Sequence, residues 1–331
     1  MKDTGDSDDH SRRFYAERKP FFDKLVEEVR FVLEAKVEKS GVKLVGIDGR
    51  VKPLESFLEK ITRKQYKDPH QVSDLAGVRV VCLYEPDLAR VANIVAGVFD
   101  IDESIDKSEL LGVDRMGYQG QHCIVRLEAG YAGPRYDDIR GLPCEIQIRT
   151  VLQDAWAQIS HHLAYKTEAS IPHTLRRAIN NVSSLLEVAQ EIFDRVRDLR
   201  TAYVEEVEAK KGTESDFLLQ PIDHETLAAY TKWKFPALPV NTWLQEVLLA
   251  DLDRTRFETL ADIDKAMVSA SESVRSYQRE NPDWFKFGTD YLTKSLGFVD
   301  AGFRKKHGFA ERTKDAFKRY ADKVITKNDD A

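Results

Sequence analysis

The first half of the sequence spaces cationic and hydroxyl side chains as a polyphosphate-binding surface would need them. Four of them recur at intervals of four, four and three residues: Lys52, Ser56, Lys60 and Arg63. On a helix of 3.6 residues per turn this spacing places all four on one face. Ammonium and guanidinium groups aligned in this way predict a surface that binds a chain of phosphates.

Two acidic residues, Asp74 and Glu145, could add a metal site and a general base. Asp74 stands before one strand-like segment and Glu145 lies within another, so both could face one cleft over a sheet. Taken alone, an Asp before Leu-Ala-Gly is typical of a turn or a cap. Glu145 alternates with isoleucines and therefore shares a solvent-facing or cleft-facing side with Gln147 and Arg149.

Common nucleotide-binding and metalloprotease motifs are absent from the sequence. It contains no GxxxxGK[ST], no GxGxxG between a strand and a helix, and no HExxH. Phosphate must then be bound by side-chain cations and by a metal ion held by carboxylates.

Hydrophobic periodicity predicts the elements that position these residues. Helices are expected over 11–39, 53–64, 86–98 and 150–166, and strands over 42–47, 78–84, 122–127 and 144–150. Further helices are expected over 172–211, 224–232, 240–251, 258–279 and 286–326. The pattern predicts a mixed α/β half followed by an all-helical half, with the boundary near 168–172. The predicted divisions are a disordered acidic N-terminus (1–10), an α/β domain (11–170) and a helical C-terminal extension (171–331).

Composition narrows the class of protein. The chain has 331 residues, of which 42% are hydrophobic and 32% charged, and this is typical of a globular protein. Its net charge of −6 argues against generic binding to the nucleic-acid backbone. No apolar run reaches the length of about 18 residues that a membrane span needs. The acidic N-terminus is unlike a secretion signal, so we expect a cytoplasmic protein without a membrane partner.

The three cysteines, Cys82, Cys123 and Cys144, show no metal-binding spacing. They lie in or beside apolar runs, which favours small buried residues in a reducing compartment over catalytic thiols.

The order and spacing of four segments resemble the synthetase domain of the RelA/SpoT family, which makes the alarmones pppGpp and ppGpp. These segments are Gly49-Arg50-Val51-Lys52, Asp74-Leu75-Ala76-Gly77-Val78-Arg79, Gly117-Tyr118-Gln119-Gly120-Gln121-His122 and Glu145-Ile146-Gln147-Ile148-Arg149-Thr150. The resemblance covers residues 20–170. It implies a nucleotidyltransferase-like mixed β-sheet flanked by helices. It also implies Mg²⁺-dependent transfer of pyrophosphate from ATP to the 3′-hydroxyl of GDP or GTP, which makes ppGpp or pppGpp and releases AMP.

The resemblance also implies roles for residues at the ATP site. Arg50 and Arg79 would stack on the two sides of the adenine. The donor's phosphates would be held by Lys52, Ser56, Lys60 and Arg63. Asp74 and Glu145 would bind Mg²⁺, and Glu145 would also be the base for the acceptor's hydroxyl.

At the acceptor site the resemblance implies stacking by Tyr118 and orientation of ribose and phosphates by His122 and Gln147. The sequence departs here from the family's usual Gly-Tyr-Arg-Ser, because Gln119 and Gly120 replace Arg and Ser. Asp154 aligns with a family position that contacts the acceptor base. Its carboxylate would accept from guanine N1–H and N2–H and match adenine poorly, which favours a guanine acceptor.

Two alternative functions remain open at this point. A toxin-type relative would pyrophosphorylate the 3′ end of tRNA or an adenine nucleotide, and a catalytically inactive domain would serve only for binding. About 40 residues precede the synthetase motifs, so we expect no hydrolase domain and a synthetase-only enzyme. The helical C-terminal half could form a homo-oligomer or regulate the synthetase.

Overall fold

The alternating segments of the first half build a mixed sheet of five strands in a computed structural model that describes residues 4–106, 120–163 and 173–325. The strands are β1 (Leu44–Val51), β2 (Ala76–Cys82), β3 (Phe99–Asp106), β4 (Gln121–Leu127) and β5 (Cys144–Thr150). Their spatial order is β1-β2-β5-β4-β3, with β2 and β5 parallel and the other neighbours antiparallel. Because parallel strands begin at the same edge, the residues before β2 lie at the edge where β5 starts.

One face of this sheet is apolar and packs under helices. The central strands bury Val78, Val80, Ile146 and Ile148 on it. Helices α1 (Thr4–Ser40) and α3 (Pro86–Ala96) contribute to the same core, which fixes the sheet and leaves its opposite face for polar side chains. A mixed sheet with flanking helices confirms the predicted fold class.

Two other helices lie next to the strands in sequence. Helix α2 (Leu54–Lys64) begins after Pro53, and α4 (Val151–Leu163) follows β5 directly. At the start of α4, the Gln153 N–H donates to Thr150 Oγ1 and the Thr150 N–H donates to Gln153 Oε1, at 3.2 and 2.9 Å. This reciprocal capping fixes the direction in which α4 leaves the sheet.

Two elements of this half differ from the sequence prediction. Helix α1 begins at Thr4 rather than at residue 11, and the pairs Asp8–Arg12 and Asp9–Arg13 support its first turns. Strand β3 was not predicted, since its pairing shifts register between Ile101 and Glu103 and so breaks the two-residue period.

By its packing the chain divides into two units, residues 1–197 and 198–331, each with its own core. The division falls within α5 (His173–Lys210). The domain bounds derived from the sequence therefore remain a prediction.

The second unit is helical, as the sequence predicts. After α5 come α6 (Glu214–Leu218), α7 (His224–Lys234), α8 (Thr242–Leu252), α9 (Leu260–Ser269), α10 (Ser271–Glu280), α11 (Gly288–Val299), α12 (Ala301–His307) and α13 (Glu311–Arg319). The helix predicted over 258–279 is broken at Ala270. The one predicted over 286–326 is divided where Asp300 caps α12 and where Gly308 ends it with a φ of +66°. Among the described helices, we find none with the length and apolar character that crossing a membrane requires.

We expect the three thiols to be unreactive in the folded protein. Cys82, Cys123 and Cys144 are all buried, and burial raises the pKa of Cys82 to about 12 and the pKa values of the other two above their ordinary range. A thiol reagent at pH 8 should therefore modify none of them until denaturant unfolds the chain, when all three should react. Fast modification of native protein would contradict the packing of these strands.

Candidate functional site

The polar face of the sheet collects most of the residues that the sequence singles out. Across the strands, Arg50 pairs with Gly77 and Gly77 pairs with Glu145. Two residues further along β2, Arg79 pairs with Gln147, and Gln147 pairs with His122. Paired residues share a face, so strand register alone places these side chains beside one another.

Asp74 binds two lysine side chains at the edge of the sheet where β2 and β5 begin. Its Oδ2 accepts hydrogen bonds from Lys52 Nζ at 2.9 Å and Lys60 Nζ at 2.6 Å. Its Oδ1 is buried and has no hydrogen-bond partner in the part of the chain that the structure describes. The carboxylate therefore holds both ammonium groups through one oxygen, and its other oxygen is left without a hydrogen bond in the described part of the chain.

The prediction that one helix face carries the four phosphate-binding residues is wrong for Lys52. Helix α2 starts at Leu54, and the Lys52 N–H donates to the Leu75 carbonyl at 2.8 Å, which extends the β1–β2 ladder. Lys52 still reaches Lys60, because both donate to Asp74. Ser56 and Arg63 lie on α2 and are exposed.

Glu145 is held through both of its carboxylate oxygens. His122 Nδ1 lies 2.9 Å from Oε1, and Gln147 Nε2 donates to Oε2 at 2.7 Å. His122 is 7% exposed and the Glu145 side chain 17%, so this contact is largely shielded from water. A carboxylate oriented in this way is positioned to receive a proton from a group bound over the sheet.

Arg149 determines which nitrogen of His122 carries the hydrogen. The Arg149 guanidinium lies 3.2 Å from His122 Nε2, and a guanidinium can only donate. Nε2 is therefore the acceptor, which assigns the hydrogen to Nδ1 and makes Nδ1–H the donor to Glu145. Burial lowers the pKa of Arg149, while nearby Asp154 favours its charged form.

Asp154, on the first turns of α4, contacts Arg79. Arg79 Nη1 donates to Asp154 Oδ1 at 2.7 Å, and Gln158 Nε2 donates to Oδ2 at 2.6 Å. The sequence analysis assigns Arg79 to the ATP site and Asp154 to the acceptor site, whereas the structure places the two side chains in direct contact. Arg149 Nη1 lies 4.0 Å from the same Oδ1, so this oxygen stands between two guanidinium groups.

Two guanidinium groups of the site, those of Arg50 and Arg63, are exposed. Neither makes an ion pair with any residue in the described ranges. Arg50 and Arg79 are diagonal neighbours on one face of an antiparallel pair, a relation that sets residues roughly 7–8 Å apart. Two planar groups at that separation could stack on both sides of one aromatic ring.

The donor set fits a Mg²⁺ ion that is completed by substrate. Asp74 Oδ1 is a buried carboxylate oxygen without a partner among the described residues, and Glu145 supplies a second carboxylate. The described residues contain no cluster of three or more His, Cys, Asp or Glu side chains that could hold a metal. Mg²⁺ is commonly bound by one or two carboxylates together with water and substrate phosphates, which agrees with this sparse set.

Gly120 directly precedes β4 and packs tightly against β5. A Cβ on Gly120 would stand 2.1 Å from the Ile148 carbonyl oxygen and 2.6 Å from Arg149 Cγ. A side chain here would displace Arg149 and, through it, the hydrogen bond to His122. Position 120, where Gly replaces the usual Ser, therefore has no space for a serine side chain in this structure.

We therefore expect Gly120→Ala to lower the free energy of unfolding by about 1–3 kcal/mol, as overpacking in a well-packed core does. Urea unfolding measures the difference. Gly130→Ala is the matched control, because a Cβ there meets nothing within 4 Å. Equal unfolding midpoints for the two variants would contradict the close approach of Gly120 to β5.

The sequence analysis did not predict the contact of Arg149 with His122. Arg149 was grouped with Glu145 by alternation, but its contact with His122 depends on the β4–β5 register. Tyr118 and Gln119 lie outside the described residues.

Comparison with known proteins gives matches over the region that contains this face. A family model described as "Region found in RelA / SpoT proteins" matches residues 49–170. GTP pyrophosphokinase YjbM of Bacillus subtilis (strain 168) is 30% identical over 192 residues, which cover 56% of this chain and 87% of that protein. GTP pyrophosphokinase YwaC of the same organism is 27% identical over 149 residues, which cover 43% of this chain and 68% of that protein. The crystal structure of the small alarmone synthetase 1 from Bacillus subtilis matches with a TM-score of 0.49 at 24% identity, over 58% of this chain and 97% of that one.

Proposed function

The chain belongs to the RelA/SpoT family, and from this membership we propose that it transfers the pyrophosphate of ATP to the 3′-hydroxyl of GDP or GTP. The products are ppGpp or pppGpp together with AMP, and the reaction uses Mg²⁺ in the cytoplasm. The observation that carries the proposal is Glu145, a carboxylate oriented through both oxygens on the sheet face that also bears Arg50 and Arg79.

ATP occupies the β1–β2 side of the face. Its adenine lies between the guanidinium planes of Arg50 and Arg79, a stacking use that Lys could not replace. Lys52 and Lys60, which share Asp74 in the absence of ligand, donate to the phosphates, and Arg63 and Ser56 extend this surface. Exchange of one anionic partner for another keeps both ammonium groups paired throughout.

The acceptor's 3′-oxygen attacks the β-phosphorus of ATP. A bond forms between that oxygen and the phosphorus, the bond from the β-phosphorus to the α,β-bridging oxygen breaks, and AMP leaves with that oxygen. The hydroxyl proton passes to Glu145, whose orientation by His122 and Gln147 makes this transfer direct. In phosphoryl-type transfer, positioning and charge neutralisation supply most of the acceleration, and Mg²⁺ held by Asp74 and Glu145 would contribute the latter.

Asp154 favours guanine as the acceptor base. Its carboxylate can only accept hydrogen bonds, and guanine offers two adjacent donors at N1 and N2. Tyr118 remains the proposed stacking partner of that base.

An acceptor screen tests the function. The full chain is incubated with γ-labelled ATP and Mg²⁺, and GDP, GTP, ADP and bulk tRNA are offered separately. We expect label on GDP and GTP, with Glu145→Gln as the inactive control. Label on tRNA or ADP, with guanine nucleotides inert, would replace the proposal by the toxin-type activity. An absence of transfer to all four would contradict synthetase activity of this chain.

A further inference from the structure

The helical unit contains a cavity that the synthetase reaction does not use. It has a volume of about 220 Å³ and lies between α8, α11 and the segment that joins α12 to α13. This is smaller than the roughly 300–1,000 Å³ of sites for drug-sized molecules, so its occupant would be a small compound. Leu244, Val247, Trp284 and Phe309 give it apolar walls.

A buried ammonium group lines this cavity. Lys294 is 7% exposed, and among the described residues its polar contact is Asp290, whose Oδ1 lies 3.3 Å from Nζ. Burial lowers the pKa of Lys294, although Asp290 opposes that change. The ammonium also lies 4.7 Å from the Phe285 ring centre, a cation–π contact, so its one hydrogen bond leaves two of its three N–H donors for a further acceptor.

Asp290 divides its negative charge between Lys294 and the start of α11. Its Oδ2 accepts from the backbone N–H groups of Lys286 and Phe287, at 3.1 and 3.0 Å, where it caps the start of α11. Its Oδ1 faces Lys294. A second anionic group could therefore approach Lys294 without meeting an uncompensated carboxylate.

Further donors lie around the same space. Thr289 is 2% exposed, and its Oγ1 has no hydrogen-bond partner among the described residues. The residue before α13 is Ala310, which provides no side-chain cap. Its carbonyl accepts from the Thr313 N–H at 2.9 Å, so the N–H groups of Glu311 and Arg312 are left for another acceptor. His307 pairs its Nδ1 with Asp251 and presents its ring to the cavity. A buried hydroxyl and an uncapped helix start both favour an anion.

We propose that this cavity is a binding site for a small organic anion, a phosphate or carboxylate carried on a compact apolar or aromatic body. Lys294, Thr289 and the start of α13 bind the anionic oxygens, and the apolar body lies against Trp284 and Phe309. Arg312, whose guanidinium lies 5.6 Å from the Trp284 ring centre, adds positive charge next to that ring. The site is independent of the synthetase proposal, since all of these residues belong to the second unit.

Calorimetric titration of the full chain tests this site, with phenyl phosphate and benzoate as separate probes. We expect at least one of them to bind. Lys294→Met should weaken that binding at least tenfold, and Thr289→Val should weaken it severalfold, because each removes one donor and keeps the side-chain size. The probe that binds more tightly identifies phosphate or carboxylate as the preferred group.

Two further variants separate this cavity from other cationic surfaces. Lys305→Met removes an exposed lysine of the same unit, and Lys52→Met removes a phosphate-binding cation of the first unit. Both should retain the wild-type affinity at the cavity. The proposal would be overturned if neither probe bound the wild type. It would also be overturned if Thr289→Val and a folded Lys294→Met both bound the probe with wild-type affinity. If Lys294→Met does not fold, Thr289→Val alone decides.

Discussion

Glu145→Gln is expected to reduce pyrophosphate transfer about a thousandfold while ATP binding stays within a few fold of wild type. The substitution removes the proton acceptor and a metal ligand together, and a general base alone contributes roughly 10²–10⁴-fold. The fold should tolerate it. The introduced amide can still accept from His122 Nδ1–H through its oxygen, while Gln147 can turn its own amide to accept from the new NH₂ group.

The measurement is single-turnover transfer from γ-labelled ATP to GDP, paired with calorimetry for ATP. Glu38→Gln is the control, since Glu38 is exposed near the end of α1, the helix that packs on the opposite, apolar face of the sheet. It should retain wild-type transfer. If Glu145→Gln also turned over at the wild-type rate, Glu145 would have no part in proton transfer or metal binding, and the mechanism would need another base.

Much of this site could be predicted, because strands impose a period of two. Glu145 and Gln147 alternate with buried isoleucines, and that pattern was enough to predict a polar face. Asp74 and Glu145 could each be assigned to the start of a strand. These inferences needed only local sequence.

What could not be predicted depends on which strands are neighbours. The contact of Arg79 with Asp154 joins residues 75 positions apart and requires α4 to return over β2, which no local pattern encodes. The tautomer of His122 likewise follows from Arg149 on the adjacent strand. Strand β3 was not predicted, because a register shift interrupts the alternation of its side chains.

Asp74→Asn is expected to separate ATP binding from turnover. In the protein without ligand, Asp74 compensates Lys52 and Lys60, whose ammonium groups both donate to its Oδ2. Asparagine removes that negative charge, so the two cations repel each other and lack an anionic partner until phosphates arrive. The thermal midpoint of the ligand-free variant should therefore fall, and saturating ATP should raise it by more than it raises the wild type.

Transfer by Asp74→Asn should fall at least a hundredfold, which corresponds to about 2.7 kcal/mol of transition-state stabilisation. ATP affinity measured without Mg²⁺ should be unchanged or higher, because no carboxylate then competes with the phosphates for Lys52 and Lys60. Asp102→Asn is the control, since Asp102 pairs with Arg126 at the surface, where an ion pair contributes under about 1 kcal/mol. Loss of ATP affinity without Mg²⁺ would instead mean that Asp74 holds the two lysines in their binding positions, and its role would be structural rather than that of a metal ligand.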